Sequence, residues 1–353
     1  MFSEAVEKGF VIKDISLKEN AVVYKVVPRY SHEESFSIVF KEINKIDKET
    51  IPYYREVKED YEIIITRNFK KKREIRPEIN LLLFILTLIT TTLAGYVFWV
   101  EGNIRDSLIF STSLLAILGV HELGHAITAR KSGVEATLPI FIPVPPPIFP
   151  FGTLGAVIFM NSPVPNRKAL IDVGISGPIA GFCLSIPIAI IGLAMSKPES
   201  ITSISGEEFV LGPSLLFYLV IKFFFGDLSN KVLVLHPLAI AGWAGIFVTS
   251  LNLLPIGQLD GGHVIRGIFP KHYRKIYLAT LILLLLLGIF WFGWILWAIV
   301  VYILTRLKHP GPLDDVSQLD TKRKFMLLVM VIILILSFMP TPIIPGELFS
   351  KNI

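Results

Sequence analysis

A chain of 353 residues that is 52% hydrophobic, with a mean hydropathy of +0.62, is too apolar for an ordinary soluble domain, where apolar residues including glycine make up roughly 45–50%. The net charge of +5 is modest, and its Lys and Arg fall between hydrophobic segments, a pattern of membrane topology and not of a nucleic-acid-binding face. Cys183 is the single cysteine, which excludes an intramolecular disulfide and any cysteine-built zinc site, so a metal would have to be held by His, Asp or Glu.

Residues 1–78 are charged and mixed and read as a small soluble α+β module. Ala21 to Val27 is β-branched and strand-like, Glu33 to Ile46 has helical spacing, and Tyr61 to Thr66 is a second strand, which together suggest a βαββ unit. The first residues lack a basic stretch followed by an apolar run, so no cleaved signal peptide is expected and the first span acts as its own insertion signal. The basic run Arg67 to Arg76 stands directly before that span, and the positive-inside rule places it, with the module, in the cytosol.

The first span covers about 80–100. The second, about 108–129, returns inward and ends at Arg130-Lys131, so the sequence His121-Glu122-Leu123-Gly124-His125 lies in its inner half. Residues 136–165 are apolar but broken by prolines, which predicts a re-entrant loop followed by a strand over 153–160. A third span follows over about 169–194, with Gly174, Gly177, Pro178 and Gly181 near its inner end, where small residues allow close helix approach. Residues 209–225 are short and contain Lys222, and are expected not to cross.

The fourth span, about 232–256, runs into Asn252-Leu-Leu-Pro-Ile-Gly-Gln-Leu-Asp260-Gly-Gly. Residues 277–304 form one overlong helix or two short ones pivoting at 288–293, and basic residues at both ends (Lys275; Arg306 and Lys308) favour the hairpin. The Trp and Phe residues of 289–297 read as markers of a lipid interface. The last span covers about 325–338. The expected fold is a polytopic α-helical membrane protein of about six to seven spans with a re-entrant loop or strand. Its three regions are a cytosolic module (1–78), an intramembrane core (79–305), and a cytosolic loop with the last transmembrane segment (306–353).

An HExxH sequence on a helix sets His121 and His125 on one face, where both reach a single Zn²⁺, and places Glu122 beside them as a base for water. Two idle imidazoles are the bland alternative, but polar groups in an apolar span demand partners. A catalytic zinc takes a third protein ligand. Asp172, Asp227 and Asp260 are the acids in or beside apolar segments, and intramembrane acids are functional candidates by default. Topology puts Asp227 on the far side. The proline-broken, glycine-followed backbone favours Asp260, and Asp172 stays open as the alternative. His236 reads as interfacial, and His263 as either a support to the site or a structural residue. A zinc centre where water is scarce points to peptide-bond cutting in the bilayer.

HELGH in one span and NLLPIGQLDGG in a later one resemble the site-2 protease family of intramembrane zinc metalloproteases, whose pattern is HExxH plus NxxPxxxLDG. Both match without a departure. FGTLGAVI, GISGPIAGF and HPLAIAGWAGIF further resemble the archaeal, cyanobacterial and plastid branch. The resemblance covers about residues 80–270 well and the C-terminal spans loosely. It implies one Zn²⁺ per chain on His121, His125 and Asp260, Glu122 as base, and Asn252 near the scissile carbonyl. It also implies Gly152 and Gly155 on a strand that holds an unwound substrate. The implied setting is regulated intramembrane proteolysis of transmembrane proteins in a cell membrane, with the site toward the cytosol and no nucleic-acid partner. No PDZ-like insertion is expected between the third and fourth spans and no CBS-like tail after the last, which leaves the N-terminal module as the candidate regulatory part. The alternatives are a zinc transporter or metal-sensing membrane protein using the same ligands, and a catalytically dead scaffold.

Overall fold

Alternating apolar residues at both ends of the N-terminal region and an amphipathic stretch between them build a sheet covered by helices. The computed structural model describes residues 2–67, 73, 75–100, 102–200, 209–228, 231–305 and 309–345. A short helix α1 (Phe2–Glu7) leads into β1 (Phe10–Lys18), β2 (Ala21–Pro28), α2 (His32–Ile46), β3 (Thr50–Val57) and β4 (Asp60–Arg67). The four strands form one antiparallel sheet in the order β1-β2-β4-β3. Ser31 caps α2 by accepting from the Glu34 amide, and the helix lays Phe36, Val39 and Ile43 on Phe10, Tyr24, Val26, Ile63 and Ile65.

The expected βαββ unit is therefore short by one strand and one helix. β1 hides because only Phe10 is buried along it, leaving no clean alternation. β3 contains Pro52, a residue that argues against a strand unless it lies at a sheet edge, which is where β3 sits. The β3–β4 turn places Lys58 and Glu59 at positive φ (48° and 70°), a hairpin geometry usually announced by Asn-Gly. Of the basic run, residues 68–72 and 74 lie outside the described residues.

Three helices are long and apolar enough to cross a membrane by length and composition. They are α3 (Pro77–Ala94), continued by a π-helical turn to Trp99, α4 (Ile104–Lys131), and α5 (Arg167–Ala194). The last two have 28 residues each, about 42 Å at 1.5 Å per residue. Asn103 caps α4, and Asn166 caps α5. Pro178 and Pro187 sit inside α5, as packed membrane helices tolerate.

Between α4 and α5 the proline-rich stretch forms a hairpin of β5 (Ile140–Pro143) and β6 (Thr153–Val157). β6 stops three residues short of the predicted strand end, and β5 replaces what was expected to be irregular loop. The hairpin leans on α3: Phe141 meets Phe84 edge-on, Thr90 Oγ1 donates to the Gly152 carbonyl (2.7 Å), and Trp99 Nε1 donates to that of Pro150 (2.8 Å).

After α5, β7 (Lys197–Ser200) pairs with β9 (Lys231–Val234), and β8 (Phe209–Leu211) pairs with β10 (Ile343–Pro345). Between them α6 (Leu215–Phe225) has 11 residues, about 16 Å, well short of a bilayer core. α7 (Pro237–Asn252) is shorter than the span predicted for it, because 231–234 is taken up as strand and the chain turns after Asn252. It is nearly all buried, with Gly242 against Ala189 and Gly245 against Ser185 of α5. Then come α8 (Asp260–Ile268), α9 (Tyr273–Leu287), α10 (Gly293–Thr305) and α11 (Thr321–Ser337). Residues 277–304 are thus divided between two helices, broken at 288–292; Arg306 and Lys308 lie outside the described residues. Phe290 and Phe292 at the break are exposed, but Trp294 is fully buried and donates Nε1–H to the Pro340 carbonyl (2.8 Å), so it belongs to the core.

α11 is pinned to α5 by Arg323, whose Nε lies 3.0 and 3.2 Å from the two Asp172 oxygens. Both side chains are about a quarter exposed (23% and 27%), so removing the cation should cost about 1–2 kcal/mol, less than a fully buried pair. Arg323→Met is expected to lower the melting temperature in detergent by about 1–3 °C. Its zinc affinity should stay that of the parent, as a chelator competition would show.

Candidate metal centre

Four residues per near-turn put His121 and His125 on one face of α4, and both are buried (4% and 6% exposed). Their Nε2 atoms lie 3.2 Å apart. His125 donates Nδ1–H to the Val173 carbonyl of α5 (2.7 Å), which fixes its ring and turns Nε2 toward the other donor atoms.

The third donor arrives from 139 residues downstream. After α7 the chain turns tightly through Leu253 to Leu259, with Gly257 at φ +62°, a left-handed conformation that favours glycine. A side chain there would also strike Thr305. This turn delivers Asp260 as the first residue of α8, with Oδ2 3.1 Å from His121 Nε2 and Oδ1 3.2 Å from His125 Nε2. Three donor groups converging in a buried site at these separations would be satisfied by one shared cation. Their separations are close to the about 3.3 Å between donors of a tetrahedral ion with bonds near 2.0–2.1 Å. The residues present fit a divalent transition-metal ion.

Glu122 lies further from the imidazoles than Asp260 does, with its Oε1 3.9 Å from His121 Nε2. Asn252, the last residue of α7, reaches the same imidazole, with Nδ2 3.3 Å from Nε2. Of the other candidate acids, Asp172 is taken by Arg323, and Asp227 is exposed beyond α6. Accordingly, Asp260→Asn is expected to abolish tight metal binding and Asp172→Asn to leave it intact, measured as metal content after dialysis; the reverse pattern would reassign the ligand.

His236 caps α7 by accepting from the Leu238 amide. His263, on α8, lies 2.8 Å by its Nδ1 from Nε2 of His309. Gly152 adopts φ +72°, and a Cβ on it would overlap the Thr90 carbonyl. Its N–H goes to the Phe149 carbonyl and its C=O accepts from Val144 and Thr90, so its polar groups are already used inside the loop. Gly155 (φ +97°), on β6, has open space beside it, the nearest atom to an added Cβ being Leu118 Cδ2 at 4.0 Å.

What the sequence reading missed is the floor of the site. Its α5 glycines face the imidazoles: a Cβ on Gly181 would lie 3.1 Å from His121 Nδ1, one on Gly174 2.8 Å from His263 Cβ, and one on Gly177 would overlap His125 Nε2 itself. Gly124, inside HELGH, lets α4 meet α5 closely, since its Cβ would stand 2.7 Å from the Ser176 carbonyl. The spacing 174-177-181 is the one available signal, a glycine face at helical period.

Comparison with known proteins gives the family. The sequence model of peptidase family M50 matches residues 109–292, which hold both histidines, Asp260 and the α5 glycines. The chain is 33% identical over 67% of its length to the probable zinc metalloprotease EGY1, chloroplastic, of rice (Oryza sativa subsp. japonica), covering 41% of that protein. It is 32% identical over 64% of its length to the Arabidopsis thaliana protein of the same name, covering 42% of it. A shorter match, 35% over 34% of the chain, is to the DDT domain-containing protein PTM of Arabidopsis thaliana, 7% of whose length is covered. The chain thus spans about two fifths of the length of the metalloproteases it matches. No solved structure matches. With both motifs converging on one buried donor set and more than half of its residues matched, the chain belongs to peptidase family M50, the site-2 protease family its motifs resemble.

Proposed function

We propose that the chain is a zinc metalloendopeptidase that hydrolyses peptide bonds within or beside the transmembrane segments of membrane proteins. The observation that carries this reading is the meeting of Asp260 with His121 and His125, with Glu122 beside them, where the histidines and Glu122 lie on a helix apolar enough to cross a membrane. The family match and the names of the relatives support it.

His121, His125 and Asp260 would hold the ion. When bound, Zn²⁺ supplies Lewis-acid activation of water and of the scissile carbonyl. Glu122 takes the proton of the attacking water and delivers it to the departing amide nitrogen. Asn252 donates its amide hydrogen toward the carbonyl oxygen as charge develops there. A substrate helix must unwind before attack, because its carbonyls are hydrogen-bonded within the helix. The β5–β6 hairpin would hold the unwound segment by strand addition along β6, with Gly155 keeping that strand clear of bulk.

The basic run before α3 and the Arg130-Lys131 end of α4 support a site near the cytosolic face of a cell membrane. The relatives' names place those proteins in chloroplasts, which says nothing of orientation here. The runner-up, a zinc transporter, would need polar sites strung across the bilayer. Among the described residues the one group of three His, Cys, Asp or Glu side chains close enough to share an ion is His121, Glu122 and His125, in the inner part of α4.

The test is reconstitution with a tagged set of single-span proteins. Cleavage is expected, lost on zinc chelation and restored by zinc. Zinc uptake into the vesicles without cleavage would reverse the choice.

A further inference from the structure

Residues 309–317 belong to neither motif, yet they join three parts of the molecule. On one side the Leu313 amide donates to the Val164 carbonyl (2.8 Å) and the Asp314 amide to that of Pro165 (2.9 Å), alongside the segment entering α5. On the other, the Tyr54 amide donates to the Leu313 carbonyl (2.8 Å) and the Asp315 amide to that of Tyr54 (3.2 Å), so this strap extends the N-terminal sheet from β3. Leu313 is buried in the core of that module.

The strap also grips α8. Asp260, His263 and Arg266 are spaced by three and share one face of this nine-residue helix. Arg266 forms a two-pronged pair with Asp315 (2.8 and 2.5 Å), and His263 meets His309 at 2.8 Å. The remaining residue of that face is the acid of the metal site.

The hydrogen bonds fix the proton positions in the histidine pair. The Gly311 amide can only donate, and it points at His309 Nδ1 (3.0 Å). Burial, with the His263 ring and the Arg266 guanidinium beside it, pushes the His309 imidazole down to about 2, so it is neutral. Its single proton therefore sits on Nε2 and is donated to His263 Nδ1. His263 has little room to turn otherwise, because an atom added to Gly174 would come within 2.8 Å of its Cβ.

We propose that His309 is a positioning residue for the metal site: by donating to His263 it fixes the roll of α8 about its axis, and with it the aim of the Asp260 carboxylate at His121 and His125. This rests on the reading of those three residues as metal ligands. Through the strap, the seating of the N-terminal sheet bears on the same carboxylate.

The experiment uses the full chain in detergent and measures zinc affinity by chelator competition and the visible absorption of the Co²⁺-loaded protein. His309→Ala is expected to weaken zinc binding about 10–100-fold and to alter the Co²⁺ band, while His309→Gln, whose amide can still donate, stays within about threefold of the parent. A purely structural His309 would lower the melting temperature and leave the Co²⁺ band unchanged, which overturns the proposal. So does a His309→Ala protein that binds zinc like the parent. Should His309→Ala fail to fold, His309→Asn, too short to reach His263, must bind zinc more weakly than His309→Gln; equal affinities refute the role. A parent that binds no zinc would overturn the ligand reading itself, whereas a parent-like alanine variant overturns only the role of His309.

Discussion

Glu122→Gln is expected to keep one zinc per chain and to slow peptide hydrolysis by about 10²–10⁴-fold, the usual worth of a positioned general base. The two halves of this expectation have separate causes. Zinc is kept because the donors nearest to one another are His121, His125 and Asp260, at 3.1–3.2 Å, while the Glu122 oxygen stands 3.9 Å from the closest imidazole nitrogen. Gln has the shape of Glu and the site stays filled. Hydrolysis falls because a neutral amide accepts no proton from water and has none to give to the leaving nitrogen. Metal content by mass spectrometry and cleavage of a single-span reporter in vesicles measure the two halves separately. Full cleavage in the variant would remove Glu122 from the mechanism. Loss of zinc would instead place it among the ligands, in competition with Asp260.

The histidines, the glutamate and the order of preference among the acids were legible because spacing carries them: i and i+4 on a helix needs no tertiary structure to be read. That the turn after α7 brings Asp260 within 3.2 Å of both imidazoles was readable only as a possibility, from Pro255, Gly257 and Gly261-Gly262. The long helices were legible from hydropathy, since α3, α4 and α5 have the length a bilayer asks for. Shorter elements were misjudged where the signal is two-fold or positional. β1 buries one end only, β5 is obscured by the prolines around it, and α7 loses its predicted first turns to a strand pairing with β7 that is set by distant partners. The strap at 309–317 had no local signature at all. Its backbone groups are satisfied by β3 and by the entry to α5, partners far away in sequence.

The glycines of α5 carry the second large expectation, because small residues in a membrane helix were read as packing devices and here they are packed against the donors themselves. Gly177→Ala is expected to lower zinc affinity by at least about 10²-fold, the upper range for disturbing a group that orients a ligand. The new methyl group would occupy the place of His125 Nε2. Separating the helices to make room would break their close packing. Gly124 already brings α4 against the Ser176 carbonyl, and the His125 ring is tied to α5 through Val173 at 2.7 Å. The ring must swing away, and the ligand atom leaves the site with it. Gly174→Ala, with 2.8 Å to His263 Cβ, should act more weakly and through α8, and Gly181→Ala, with 3.1 Å to His121 Nδ1, most weakly, since a shift of a few tenths of an ångström suffices there. The three affinities therefore rank in the order of the space each glycine leaves. Chelator competition on the three purified variants tests the ranking, and a Gly177→Ala protein that binds zinc like the parent would show that the α5 floor yields and that the donors are held by α4 and α8 alone.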